Sequence, residues 1–168
     1  ADEVGIDVGY HVAHILEGAY GNRMRIAEIL KTVYEAGMLG KKSGEGFYIH
    51  AGKHKTVSSN VQNMRGNTMF TLDDDVTLKR LVYIMINEAS RCLEEGVVES
   101  ASTIDVGMIY GTGIPPFRGG LLRYADSVGV KHIVSDLKNF QDRFDQHRFE
   151  PSQLLLSMAE TNDTFYPS

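Results

Sequence analysis

Leu78-Lys79-Arg80-Leu81-Val82-Tyr83-Ile84-Met85-Ile86-Asn87-Glu88-Ala89-Ser90-Arg91-Cys92-Leu93-Glu94-Glu95-Gly96 is the stretch that decides the fold. Leu78, Leu81, Val82, Met85, Ala89, Cys92 and Leu93 recur at three- and four-residue intervals, which lays them on one face of an α-helix. Asp73 or a neighbour caps its start and Gly96 stops it. Between Leu81 and Ile86 the chain is apolar all round, so this helix is expected to be central and buried on most sides.

The same period runs outward in both directions. Upstream, Asp7 can cap a helix carrying Val8, Val12, Ile15, Leu16 and Ala19, which ends at Gly21-Asn22. Ile26, Ile29, Leu30, Val33 and Tyr34 predict a second helix over 23–36, closed by Gly37. Gly40-Lys41-Lys42-Ser43-Gly44-Glu45-Gly46-Phe47-Tyr48 reads as a loop whose aromatic pair pins a short extended segment onto the helices. From Ile49 to Thr71 the chain is polar and aperiodic, which predicts a connector without regular structure. Downstream, a short helix over 102–110 leads to a loop broken by Pro115 and Pro116, and helices resume at 119–127, 130–146 and 152–160. No run alternates with period two, so the expected class is all-α.

Composition narrows the function. The chain has 168 residues, 42% hydrophobic, with 22 Asp and Glu against 17 Lys and Arg and a formal charge of −5. An acidic balance argues against neutralising many phosphates, so no nucleic-acid partner is expected. No apolar run is long enough to span a bilayer and no signal peptide opens the chain; the expected compartment is the cytoplasm. A lone cysteine, Cys92, forms no internal disulfide and no cysteine zinc site. Ala1-Asp2-Glu3-Val4-Gly5 lacks an initiator Met and reads as the last turn of a helix closed by glycine, so the chain is expected to begin within a domain.

The sequence also repeats itself. Ala1-Asp2-Glu3-Val4-Gly5-Ile6 matches Ala125-Asp126-Ser127-Val128-Gly129-Val130 at four of six positions, and Phe47-Tyr48 is echoed by Phe165-Tyr166. Two copies of one helical unit are expected. The second copy carries the long helix and the Pro-Pro loop ahead of the matching segment; the first lacks both. The expected layout is 1–51 for the remainder of the first copy, 52–71 for the connector and 72–168 for the second copy.

Asn87-Glu88-Ala89-Ser90-Arg91-Cys92-Leu93-Glu94-Glu95-Gly96, Gly113-Ile114-Pro115-Pro116-Phe117-Arg118-Gly119-Gly120 and Tyr124-Ala125-Asp126-Ser127-Val128-Gly129 resemble the α subunits of bacterial fatty acid oxidation complexes. The run from Gly40 to Tyr48 likewise resembles the closing motif of the 3-hydroxyacyl-CoA dehydrogenase C-terminal domain. The resemblance covers nearly the whole chain outside the connector. It implies two tandem helical domains packed as a pseudo-dimer, behind a dinucleotide-binding domain and an enoyl-CoA hydratase domain. It implies a parent enzyme that oxidises (3S)-hydroxyacyl-CoA to 3-oxoacyl-CoA with NAD, bound by a domain absent here, and that also hydrates enoyl-CoA. The family's catalytic His and Glu map onto nothing in this chain, so the fragment alone is expected to be inactive. Its substrate-proximal Asn is replaced in the second copy, where the matching pair is Lys79-Arg80.

Candidate site residues are few. Arg118 with Gly119 and Gly120 at a helix start is a candidate for an anion such as a CoA phosphate, the alternative being a packed turn whose Arg pairs with a local carboxylate. Lys41 and Lys42 are candidates for the same phosphates or an acidic partner surface, against plain solvated charge. Asn87 and Glu88 are expected in a structural polar network. Gly111 and Gly113 start a glycine-rich phosphate pattern, but Pro116 stands at the third glycine position and no strand precedes it. His11 with His14 and His50 with His54 have ligand-like spacing but no third ligand, so no metal is expected. The acyl-CoA substrate and a thiolase β subunit are the partners the resemblance implies. A pure assembly module of the oxidation complex is the rival reading; a one-copy short-chain 3-hydroxybutyryl-CoA dehydrogenase is a third, which the second copy argues against.

Overall fold

The computed structural model describes residues 1–52, 54–65, 72–144 and 147–167. The chain divides into two compact units, Ala1–Thr71 and Leu72–Ser168.

In the first unit, α1 (Ile6–Tyr20) and α2 (Glu28–Glu35) are followed by a hairpin, β1 (Tyr48–Ala51) and β2 (His54–Val57), and by α3 (Ser59–Met64). The strands are antiparallel, with Tyr48 opposite Val57 and Ala51 opposite His54. A small core of Ile6, Val33, Met38 and Val61 joins α1, α2 and α3, with Ile29, Leu30, Tyr34 and Phe47 packed around it. The Tyr10 and Tyr34 rings stack at 4.3 Å and fasten α1 to α2.

The second unit carries α4 (Asp74–Glu94), α5 (Ala101–Thr112), a 3-10 turn at Pro116–Arg118, α6 (Leu121–Val128), α7 (Val130–Phe144) and α8 (Gln153–Thr161). Helix α4 packs on α6, α7 and α8. Ile86, Leu121, Leu122, Ile133, Leu137 and Leu155 fill the centre. Side chains of Asp73, Ser100 and Ser152 cap α4, α5 and α8. Each takes up an amide of the first turn that would otherwise lack a partner.

Four expectations change. The stretch predicted to be an aperiodic connector contains β2 and α3, with Val61 buried in the core. The polar residues there that resemble breakers are caps and ties. Ser58 Oγ accepts from the Val61 amide and donates to Glu45, and Asn60 donates to the same carboxylate. Residues 66–71 of that stretch lie outside the described residues. The absence of strands is likewise corrected, but among the described residues the sheet is one short hairpin and the class stays all-α. Third, α2 begins at Glu28 rather than 23, because a 3-10 turn occupies Gly21–Met24.

The last change concerns which faces are buried. On α4 the buried side is Tyr83, Ile86, Asn87, Ala89 and Ser90, whereas Leu78 and Leu81 are 57% and 63% exposed. The helix is rotated because Asn87 and Ser90 face the segment entering α8 and are satisfied there, so two polar side chains take central positions. On α1 the Val8, Val12, Ile15 and Leu16 stripe lies on the surface, and Ile6 is the helix's one buried residue.

Candidate functional site

The repeated sequence motif is a repeated hydrogen-bonding device. In the first unit, Asp2 accepts from the backbone amides of Phe47 (3.1 Å) and Tyr48 (2.9 Å). In the second, Asp126 accepts from those of Phe165 (2.8 Å) and Tyr166 (3.0 Å). One carboxylate takes two adjacent donors and so fixes a bent segment onto the helical unit. The helix ahead of each aromatic pair closes alike, on a left-handed residue: Gly37 (φ +72) after α2 and Asn162 (φ +60) after α8.

The first clasp has an additional member that motif reading missed. Nε2 of His50 lies 2.9 Å from Asp2 Oδ2, with Asp2 buried and His50 partly so. Burial works against the charged form of Asp2. The hydrogen bonds from His50 and the Tyr48 and Phe47 amides outweigh it and hold the carboxyl below its ordinary range. The signal was present in the sequence, since Asp2 lies inside the repeat, but nothing in the spacing pairs it with a residue 48 positions away.

The two lysines are taken up locally. Lys41 Nζ is 3.1 Å from Glu3, and Lys42 Nζ is 2.5 Å from Asp7. Each lysine lowers the pKa of its partner carboxyl through that hydrogen bond. Asp7 therefore anchors the glycine loop instead of capping α1. Gly40 sits against the Asp2 backbone with φ +89, a place where a β-carbon does not fit.

At the Pro-Pro turn, the amides at the start of α6 are occupied from within. Asp105, buried on α5, accepts from Leu122 (2.7 Å) and Arg123 (3.1 Å), and the Tyr166 hydroxyl donates to it at 2.7 Å. Burial, then the hydrogen bond to Asp105, pushes the Tyr166 phenol up to about 12. Gly120 (φ +119) lies against the Asp105 side chain and Gly119 (φ +77) against Arg123, so both glycines are explained by turn geometry. Among the described residues Arg118 makes no ion pair with a carboxylate; its guanidinium lies 5.6 Å from the Phe117 ring and 5.3 Å from the Tyr124 ring. A helix start already filled by a carboxylate is a poor receptor for an external phosphate.

Asn87 is central to a buried polar network. Its amide nitrogen donates to the Glu150 carbonyl (2.8 Å), its oxygen accepts from the Ser152 amide (2.9 Å), and the Ser90 and Ser152 hydroxyls meet at 2.6 Å. Glu88 lies 3.9 Å from Arg91 on its own helix, and the Arg91 guanidinium also donates to the Glu150 carbonyl. Gly111 and Gly113 fall at the end of α5 and not at a strand-to-helix turn, so a dinucleotide pyrophosphate has no cradle there. Among the described residues no group of three His, Cys, Asp or Glu is placed to hold a metal.

The clasped dipeptides and the buried Asp105 turn belong to a known helical architecture. The sequence model of the family "3-hydroxyacyl-CoA dehydrogenase, C-terminal domain" matches this chain over residues 1–50 and again over 77–165. The chain belongs to that family. The two matched stretches fall in the two compact units; the first contains its whole clasp and the second contains Asp126 and Phe165 of the other. The fatty acid oxidation complex subunit alpha of Shewanella loihica is 42% identical over 168 residues, which span 98% of this chain and 24% of that protein. The subunit of the same name from Vibrio parahaemolyticus is 37% identical, again over 98% of this chain and 24% of its own length. The chain thus spans about a quarter of these relatives.

Among solved structures, 3-hydroxybutyryl-CoA dehydrogenase from Escherichia coli K12 superposes with a TM-score of 0.73 at 20% identity, covering 95% of this chain and 50% of that one. The dehydrogenase part of multifunctional enzyme 1 from C. elegans superposes at 0.61 with 22% identity, over 94% and 37%. At these identities the likeness is one of fold. Among the described residues no helix of this 3-hydroxyacyl-CoA dehydrogenase C-terminal domain chain is long and apolar enough to cross a membrane.

Proposed function

We propose that the chain is the helical, substrate-side portion of a longer NAD-dependent (3S)-hydroxyacyl-CoA dehydrogenase of fatty-acid β-oxidation, a cytoplasmic enzyme that also hydrates enoyl-CoA. The observation that carries this reading is the family match in two stretches, each coinciding with one clasped unit. In the parent, a dinucleotide-binding domain outside this chain binds NAD and supplies the catalytic His and Glu. Bound there, NAD would supply the hydride acceptor for oxidation at C3 of the substrate. The residues here contribute rigidity: the clasp in each unit fixes its closing segment, which supports the acyl-CoA cleft that the helical portion forms with the rest of the parent. Lys41, Lys42 and Arg118 with its two glycines are then structural parts, and Asn87 holds the second unit together.

The decisive measurement is NADH formation from 3-hydroxybutyryl-CoA and longer 3-hydroxyacyl-CoA substrates. The full-length parent is expected to turn over and this chain alone to give background only. Turnover by this chain would end the proposal.

A second reading, a pure assembly module docking a thiolase β subunit, is favoured by the exposed Tyr110 and Phe117, at 86% and 83%. Gly120→Trp in the full-length parent separates the two. Loss of dehydrogenase turnover supports cleft support, and loss of complex assembly with intact kinetics supports the assembly module.

A further inference from the structure

The two side chains of Lys79-Arg80, at the start of α4, meet different surroundings. Lys79 is neutralised, with Asp75 at 2.9 Å and Asp136 at 3.8 Å. Arg80 packs on aromatic rings instead. Its guanidinium lies 4.1 Å from the centre of the Phe144 ring and 5.5 Å from that of Phe149, and its Nε is buried without a hydrogen-bond acceptor.

The charges around Arg80 are of one sign. Arg143, in the last turn of α7, lies 5.2 Å from the centre of the same Phe144 ring, and Arg148 stands in the 3-10 turn His147–Phe149. Burial first, then the charges of Arg148 and Arg143, lower the Arg80 pKa, and no carboxylate among the described residues acts on it in the opposite sense. A buried donor without an acceptor costs free energy, and so do like charges drawn together over one ring; an anion bound between them relieves both. A guanidinium can stack on a ring through its face and still offer its N–H edge to a tetrahedral oxyanion.

We propose that Arg80 and Arg143, gathered on Phe144, form a binding site for a phosphate group. The site lies wholly in the second unit and stands whether or not the dehydrogenase reading holds.

The test is a titration of the whole chain with sodium phosphate at constant ionic strength, followed through the arginine Nε–H signals in ¹H–¹⁵N correlation spectra. A saturable shift of the Arg80 signal is expected, with little change when sodium chloride replaces phosphate. Arg143→Gln, at an exposed helix end where the fold is not at stake, is expected to weaken phosphate by about tenfold, the loss of one charge-assisted hydrogen bond. Arg80→Met keeps the aliphatic packing on Phe144 and is expected to abolish binding; should that variant fail to fold, Arg143→Gln decides alone. Glycerol 3-phosphate separates the sources of the group. Binding at least as tight as that of inorganic phosphate assigns an esterified phosphate, and binding of inorganic phosphate alone assigns the free ion. No saturable shift overturns the proposal, as does an equal response to chloride, which marks general screening, or an undiminished affinity in Arg143→Gln.

Discussion

The Tyr166 hydroxyl donates to Asp105 at 2.7 Å, and that bond ties the end of the second unit to the helix preceding its Pro-Pro turn. Asp105 also receives the Leu122 and Arg123 amides, while Asp126 receives the amide of Tyr166 itself. Two carboxylates therefore stitch α5, α6 and the segment at Phe165 and Tyr166 together. The Arg123 guanidinium lies 3.7 Å from the centre of the Tyr166 ring and closes the arrangement from the other side.

Tyr166→Phe is expected to destabilise the second unit by about 1.5–3 kcal/mol, the worth of a hydrogen bond to a charged acceptor. The bond also sets an alkaline limit. A phenol whose folded pKa is raised contributes stability that is complete below its unfolded value near 10 and is lost as pH rises through about 12. Absorbance at 295 nm should show one tyrosine ionising near that pH, absent in the variant. Eight tyrosines titrating together near 10 would refute the assignment.

Two glycine-to-alanine changes are expected to act in opposite directions. At Gly120 the backbone is left-handed and a new β-carbon collides with Asp105, so Gly120→Ala should cost about 2–5 kcal/mol through strain and overpacking. At Gly107, inside α5, nothing stands near the added carbon, and Gly107→Ala should stabilise by about 0.5–1 kcal/mol. Thermal melts of both variants decide it, and a Gly120→Ala melt at the wild-type temperature would remove the turn argument.

The Asp2 clasp predicts an acid-sensitive first unit. Its carboxyl is held below the ordinary 3.8, so the stability it contributes is complete above that pH and is lost as pH falls through the depressed value. Hydrogen-exchange protection at the Phe47 and Tyr48 amides should fall over that window. Asp2→Ala should abolish the protection at every pH; amides still protected in the variant would show that the carboxylate is not what holds them.

The helical class and the second unit were legible because period and capping agree there: Asp73, Gly96 and the apolar spacing of α4 all point to one helix. The repeat was legible as well, and its reason is chemical, since the matching Asp and Phe-Tyr residues are bonded to each other in both units. What escaped was set by distant partners. Ser58 resembles a breaker until Glu45 is placed beside it, and His50 resembles a surface residue until Asp2 closes on it. Periodicity also misjudged the buried face of α4, because it weights Leu78 and Leu81 for hydropathy and has no means of seeing that Asn87 finds both a donor and an acceptor.

Asn87 gives the sharpest test of that network. Its amide acts as donor to Glu150 and acceptor from Ser152 at once, a combination that few side chains of its size can supply. Asn87→Leu leaves the buried Ser152 amide without a partner, whereas the Glu150 carbonyl keeps its bond from Arg91 Nη2, so a loss of about 1–3 kcal/mol is expected. Asn87→Asp separates the two roles. A carboxylate keeps the bond from Ser152 but presents no donor to Glu150; the neutral acid restores one. Burial raises the pKa of the new carboxyl, so its relative stability should be highest in acid and fall as pH rises through that raised value. Denaturant midpoints of variant and wild type, compared at acidic and neutral pH, measure this difference. A deficit that is the same at both would mean that the Glu150 carbonyl does not depend on Asn87, and that the knot joining α4 to the start of α8 is held by Ser90 and Ser152 instead.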